Sequence, residues 1–126
     1  MAPSNIIFIV LDTLRADKVY SQYKSRNLVP TLSGLSENSL YLKNCIANSP
    51  WTYPSHISMF TGLYPSQVEL LNSNPKKLTN KVPVLAEILR DLGYITVCYT
   101  ENPWITKAFG LTRGFDYVYK NLKFTL

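Results

Sequence analysis

The sequence is poor in the residues that build disulfide scaffolds, histidine-rich metal centres and membrane anchors. Its 126 residues include two cysteines and one histidine. Cys45 and Cys98 each lie in an apolar stretch, which predicts small buried thiols rather than a disulfide framework. The apolar run at residues 6–11 is far shorter than the roughly 20 residues that cross a bilayer, and no basic residue precedes it. We therefore expect no signal peptide and no transmembrane segment, and we predict a cytoplasmic protein.

Charge is also modest, with 13 basic and eight acidic residues and a net charge of +5. The basic residues are spread from Arg15 to Lys123, and the longest run among them is the pair Lys76-Lys77. This spread argues against a face for nucleic acid, and we expect no such partner. The positive net charge favours anionic substrates instead, because its field acts over a long range.

What the sequence does contain is the patterning of an α/β domain. Hydrophobic residues make up 46% of the chain and charged residues 17%, which is typical of one folded domain with its own core. Apolar or alternating stretches predict strands at residues 6–11, 39–47, 94–99 and 115–119. Helical spacing predicts helices at residues 30–35, 54–61 and 83–92, and a short helical piece after Trp104. Strands alternating with helices indicate a mainly parallel sheet flanked by helices.

Two of the predicted helices have recognisable ends. Pro54 stands where the first turn of a helix tolerates proline, and Gly62 follows as a terminator. The later helix opens at Pro83 and ends at Gly93. Its apolar stripe is expected to face the core. The stripe consists of Val84, Leu85, Ile88, Leu89 and Leu92.

The residues just before Pro54 predict an exposed hydroxyl at a helix N-terminus. Thr52 or Tyr53 is expected to cap the helix, with backbone N–H groups pointing outward beside it. Such an end is a site for a tetrahedral anion. Without the segment around it, Thr52 would be interpreted as a simple helix cap, because threonine is a common cap.

The surrounding segment resembles the sulfatase signature, in which a nucleophile is followed by any residue, then Pro-Ser-Arg, then a short helix ending in Thr-Gly. The positions that match are Pro54, Ser55, Thr61 and Gly62. Thr52 stands where sulfatases carry the Cys or Ser that becomes formylglycine, and His56 stands where they carry Arg. Both departures are similar to the nucleotide pyrophosphatase/phosphodiesterase branch of the alkaline phosphatase superfamily, which has Thr as nucleophile and then Pro and His in this register. As a Thr-nucleophile variant, the chain also resembles phosphonate monoester hydrolases.

A second stretch supports the resemblance. Residues 7–17 are similar to the opening strand of these hydrolases, whose terminal Asp, here Asp12, is a metal ligand. Sulfatases often carry a second Asp next to it, where this chain has Thr13. Residues 110–116 resemble the family's Arg-Gly-Phe-Asp stretch. The sulfatase Gly-Lys-Trp-His element has no counterpart, and residues 100–104 occupy its place.

The resemblance implies an alkaline-phosphatase-like, metal-dependent hydrolase of phosphate, phosphonate or sulfate esters that forms a covalent threonine intermediate. Thr52 would be the nucleophile and a ligand of a divalent Ca, Mg, Mn or Zn ion, with Asp12 as a second ligand. His56 is a catalytic candidate, against the alternative of a hydrogen-bonded helix residue. Arg15 and Asn102 are candidates for substrate binding, and for Arg15 a surface ion pair is the alternative.

The number of metal ligands that the chain supplies limits the activity we expect of it. Asp12 and Thr52 supply two ligands, whereas zinc takes about four and hard cations take more. We therefore expect residues 1–126 to be the N-terminal portion of a sulfatase-like catalytic domain, inactive alone, with the oxygens of Asp12 and Thr52 within about 6 Å. The alternative is a truncated, non-catalytic α/β domain that binds an anion or a protein partner, pairing through an exposed sheet edge.

Overall fold

The computed structural model describes residues 4–20, 22–23, 26–27, 29–42, 44–68 and 77–120. Helices and a small parallel sheet place it in the predicted α/β class. The chain forms two compact units, Met1–Cys45 and Ile46–Leu126. Within the described part of the chain, no helix is long and apolar enough to cross a membrane.

The first unit contains two helices and a short antiparallel ladder. Helix α1 spans Ala16–Tyr20, strands β1 and β2 span Gln22–Tyr23 and Arg26–Asn27, and helix α2 spans Pro30–Glu37. Gln22 lies opposite Asn27 in the ladder. Helix α2 starts with proline, as predicted, because the first helical residue needs no N–H for an intrahelical bond.

Two predicted strands are wrong. Residues 6–11 are not in a strand, and neither are the described residues of 39–47. A strand requires a ladder with a neighbour, and the ladders among the described residues are the β1–β2 pair and one pair in the second unit. The apolar side chains of residues 6–11 are accordingly exposed, Ile7 by 84% and Ile9 by 74%.

The second unit is built from two helices and a parallel strand pair. Helices α3 and α4 span Thr52–Thr61 and Leu85–Asp91, and a 3-10 helix lies between them at Pro65–Val68. Strands β3 (Val97–Thr100) and β4 (Tyr117–Lys120) pair in parallel. They confirm the two later predicted strands, with starts two or three residues downstream. The helical piece predicted after Trp104 is a series of turns instead.

Helix α3 begins two residues before the predicted start. Trp51 is extended and occupies the cap position, so the expectation that Thr52 or Tyr53 caps the helix is wrong. Pro54 becomes the third helical residue, which the helix accepts because the first-turn N–H groups have no intrahelical partner. Gly62 ends the helix in the left-handed conformation (φ 71°), as predicted.

Helix α4 begins two residues after the predicted opening at Pro83. Gly93 (φ 89°) follows its C-terminal cap, as the sequence predicts. Its carboxylate Glu87 accepts a hydrogen bond from the Val84 N–H at 3.1 Å. The predicted apolar stripe is only partly correct, because Ile88 and Leu92 are 47% and 71% exposed. The buried side of the helix contains Ala86 instead, where the backbone of Gly114 comes into close contact.

The core of the second unit gathers side chains from α3, from the segment that leads to α4, from strand β3 and from the turns that follow it. Its fully buried members are Tyr53, Ile57, Leu78, Val84 and Leu111. Cys98 is buried in this core, and burial raises the pKa of its thiol. Cys45 is exposed, contrary to prediction, and both cysteines are free thiols.

Candidate active site

Thr52 occupies the first position of helix α3, immediately after the extended residue Trp51 (φ −135°, ψ 160°). The backbone N–H groups of a first helical turn point towards the N-terminal end and carry a partial positive charge there. A hydroxyl at this position therefore lies where an anionic oxygen would be stabilised. The side chain of Trp51 makes no cap hydrogen bond.

His56 lies one turn further along α3 and contacts the backbone of Thr52. Its Nδ1 is 2.8 Å from the Thr52 carbonyl oxygen. A carbonyl oxygen only accepts, so this contact requires the proton on Nδ1, which donates. In the neutral tautomer that meets this requirement, Nε2 is the acceptor nitrogen. The residue is 6% exposed, and its ring meets Phe60 edge-on at 6.1 Å between centroids. This geometry fits the hydrogen-bonded helix residue that the sequence left open as an alternative.

An aromatic cluster borders the start of α3. The ring of Trp51 packs edge-on against Trp104 with centroids 5.5 Å apart, and lies 6.0 Å from the ring of Tyr53. Phe109 completes the cluster, 4.9 Å from Trp104. Tyr53 is buried and donates its hydroxyl proton to the Phe109 carbonyl at 3.1 Å, and desolvation raises its pKa. We did not predict this cluster, because its members come from segments about 50 residues apart.

The predicted substrate contact Asn102 lies in the loop that carries Trp104. Its Oδ1 accepts a hydrogen bond from the Trp104 N–H at 2.9 Å, and its own N–H donates to the Thr100 hydroxyl at 3.1 Å. Asn102 thus shapes the loop that brings Trp104 against Trp51.

Asp12 lies in the first unit, in a turn with a strained neighbour. Thr13 has φ 62°, and it is the one non-glycine residue with positive φ among those the structure describes. A β-branched residue in this conformation is uncommon, and such strain concentrates at functional positions. The Thr13 hydroxyl donates to the Asp12 carbonyl oxygen at 2.6 Å. Asp12 follows residues 6–11, which are exposed and do not form the buried strand that the sequence predicted.

Arg15 forms an ion pair with Asp17, two residues further along the chain. Its Nε and Nη2 donate to the two carboxylate oxygens of Asp17 at 2.8 and 3.0 Å. The side-chain hydrogen bond between them raises the pKa of Arg15 and lowers that of Asp17. Both side chains are largely exposed, by 74% and 52%, so the pair has the geometry of a surface ion pair.

The metal site implied by the resemblance is incomplete in the part of the chain that the structure describes. No three of its His, Cys, Asp and Glu side chains gather closely enough to hold an ion. Asp12 belongs to the first unit and Thr52 to the second, so their approach stays a prediction. Two oxygen ligands do not satisfy a hard divalent cation, which takes six or more.

Comparison with known proteins agrees with the motif around Thr52. The sulfatase family model matches residues 4–125. An uncharacterized pyrophosphatase/phosphodiesterase of Schizosaccharomyces pombe is 32% identical over 87 residues, which are 64% of this chain and 17% of that protein. No solved structure matches the chain. Because the family match extends over almost the entire sequence, the chain belongs to the sulfatase family of hydrolases, in the alkaline phosphatase superfamily.

Proposed function

We propose that this chain carries the nucleophile of a phosphorus-ester hydrolase, and that Thr52 is that nucleophile. The observation that carries the proposal is the position of Thr52 at the first residue of α3, within the sequence motif of the family. The similarity to a protein named as a pyrophosphatase/phosphodiesterase favours phosphorus over sulfur as the reacting centre.

The proposed reaction has two displacements at phosphorus. The Thr52 Oγ1 attacks in line, forming an O–P bond while the bond from phosphorus to the leaving oxygen breaks. The hydroxyl proton passes to solvent, and the leaving alkoxide takes up a proton from solvent. Water then attacks the same phosphorus and the bond between Oγ1 and phosphorus breaks, which releases phosphate and returns a proton to Oγ1. The N-terminus of α3 stabilises the negative charge on the equatorial oxygens in both steps.

The sulfatase family generally uses a divalent metal ion, and we propose Asp12 and Thr52 as two of its ligands. The described residues do not complete such a site. We therefore propose that the missing ligands lie outside them, and that residues 1–126 form part of a larger catalytic domain. The small share of the yeast relative that the chain spans, 17%, supports this proposal. Residues 1–126 alone should then show no appreciable turnover.

Threonine also explains why phosphorus esters or phosphonates should be preferred to sulfate esters. A formylglycine hydrate has two hydroxyls on one carbon, so the second can expel sulfate by breaking a C–O bond. Threonine has one hydroxyl, and its ester must be opened by attack at phosphorus or sulfur. Cations that neutralise the oxygens help this attack more at phosphorus, because a sulfate monoester carries less negative charge.

The test compares residues 1–126 with the complete reading frame that encodes them, using matched nitrophenyl phosphate, phosphonate and sulfate esters. Thr52→Ala should abolish turnover of the phosphorus esters. Thr61→Ala is the matched control, because Thr61 lies at the other end of the same helix, roughly 13 Å along its axis. A higher kcat/KM for the sulfate ester, or equal activity in Thr52→Ala, would overturn the proposal.

A second candidate function is partner binding through the β3–β4 sheet. Three of its side chains are exposed by about half, Val97 by 54% and Tyr117 and Tyr119 by 55% each. They share one sheet face, because Val97 lies opposite Tyr117 and Tyr119 is two residues further along. Sedimentation analysis at increasing concentration tests this function, and a chain that remains monomeric throughout would remove self-pairing from consideration.

A further inference from the structure

We propose that His56 is a positioning residue for Thr52, holding the first residue of α3 through Nδ1. The inference rests on the proposed role of Thr52 as nucleophile. It assigns His56 neither proton transfer nor metal binding. Its function is to fix the backbone of the residue that reacts.

The start of α3 lacks the usual side-chain anchor. Helices are commonly capped by Ser, Thr, Asp or Asn, whose side chains bond a first-turn N–H and contribute about 1 kcal/mol. Trp51 occupies the cap position here and makes no such bond. Helix ends without anchors fray. The aromatic cluster holds the neighbours Trp51 and Tyr53, and the direction of the Thr52 side chain depends in addition on how its own peptide is held.

His56 holds this peptide from within the helix. Its Nδ1–H donates to the Thr52 carbonyl at 2.8 Å, so the peptide after Thr52 is tied to the second turn. The imidazole itself is held in place, since it is 6% exposed and packs edge-on against Phe60. Fixing this peptide limits rotation at ψ of Thr52 and hence the direction of the Thr52 side chain. Misplacement of a reacting group by about 1 Å can cost 100-fold in rate.

Because the two ring nitrogens have different partners, the positioning role can be tested apart from proton transfer and metal binding. Nδ1 is already committed to the carbonyl, so proton transfer or metal binding would have to use Nε2. An asparagine amide places its N–H near the position of Nδ1, whereas a glutamine amide reaches the position of Nε2. His56→Asn and His56→Gln are therefore matched variants, each of which preserves one nitrogen's function.

The first experiment observes the tautomer directly. The chain contains a single histidine, so long-range 15N–1H NMR spectra of the labelled protein show His56 alone. We expect the Nδ1-protonated tautomer at neutral pH. In addition, the Thr52 backbone and methyl signals should shift less in His56→Asn than in His56→Gln. An Nε2-protonated ring would overturn the proposal whether or not the protein turns over substrate.

The second experiment measures kinetics on the complete reading frame. We expect His56→Gln to lower kcat by about 10- to 100-fold with little change in KM, and His56→Asn to recover a large part of that loss. Melting temperatures of the two variants should be similar, because both remove the same ring packing. Equal kcat losses in the two variants, or a larger loss in His56→Asn, would reject the positioning role. Thr52→Ala reports separately on the nucleophile, so failure of the proposed function is distinguishable.

Discussion

The close approach of Gly114 to helix α4 gives the sharpest stability prediction for the second unit. Gly114 has φ 79°, and a Cβ added there would lie 2.5 Å from the Ala86 carbonyl carbon and 2.6 Å from Glu87 Cα. These are backbone atoms, which cannot turn away as the end of a side chain can. Gly93 provides the matched control, because it also has positive φ (89°) but nothing within 4 Å of an added Cβ.

The free energies of unfolding of the two alanine variants should differ by the cost of the contact between residue 114 and α4. Both incur the conformational penalty of an L-residue at positive φ, about 1–2 kcal/mol. In Gly114→Ala the backbones must also separate by about 1 Å to reach ordinary contact near 3.5 Å. Forcing extra volume into a packed contact adds about 1–3 kcal/mol. We therefore expect Gly114→Ala to lose about 2 kcal/mol more than Gly93→Ala.

Thermal unfolding followed by tryptophan fluorescence measures this difference. Both tryptophans, Trp51 and Trp104, lie in the aromatic cluster of the second unit, so the signal reports on the unit that contains the two glycines. For a protein of this size, 2 kcal/mol corresponds to a fall in Tm of about 8 °C. Equal losses of Tm in the two variants would show that the packing of residue 114 on α4 is not what stabilises this unit.

Four further predictions concern hydrogen bonds and strain. In thermal melts, Thr96→Val should lower the free energy of unfolding by about 1–3 kcal/mol, because the buried Thr96 hydroxyl donates to the Gly114 carbonyl at 2.6 Å. Ser58→Ala should be neutral or stabilising in the same melts, because the buried Ser58 hydroxyl has no partner in the described structure. Hydrogen bonds from Thr96 lower the pKa of Asp116, so its contribution is present above the ordinary carboxyl pKa of 3.8 and is lost as pH falls through the lower folded value. The Tm of wild type should therefore drop more steeply in acid than that of Asp116→Asn, and parallel curves would contradict this. Thr13→Asn should stabilise the first unit by about 1 kcal/mol, because asparagine tolerates φ 62° better than threonine does. Hydrogen exchange of the α1 amides should slow in this variant, and unchanged exchange would count against strain at Thr13.

The elements that could be predicted from the sequence are those with local signals. Pro30 marks the start of α2, and Gly62 and Gly93 mark the ends of α3 and α4, because proline and glycine act on the backbone of their own turn. The strand predicted at residues 6–11 had a strong apolar pattern but no neighbour in a ladder among the residues that the structure describes. Strand formation depends on a partner distant in sequence, which periodicity does not reveal.

The same distinction between local and long-range information applies to the candidate site. The motif around Thr52 could be interpreted from adjacent residues, since a hydroxyl at a helix start is a property of one turn. The contact between Trp51 and Trp104 joins residues more than 50 positions apart, so no spacing rule pointed to it. The role of His56 was ambiguous from the sequence, because its position in the motif suggested a catalytic role. The hydrogen bond from its ring to the Thr52 carbonyl oxygen is a feature of the structure that the motif does not predict. The family motif thus predicts a role for Thr52, and the packing around the start of α3 determines how that residue is held.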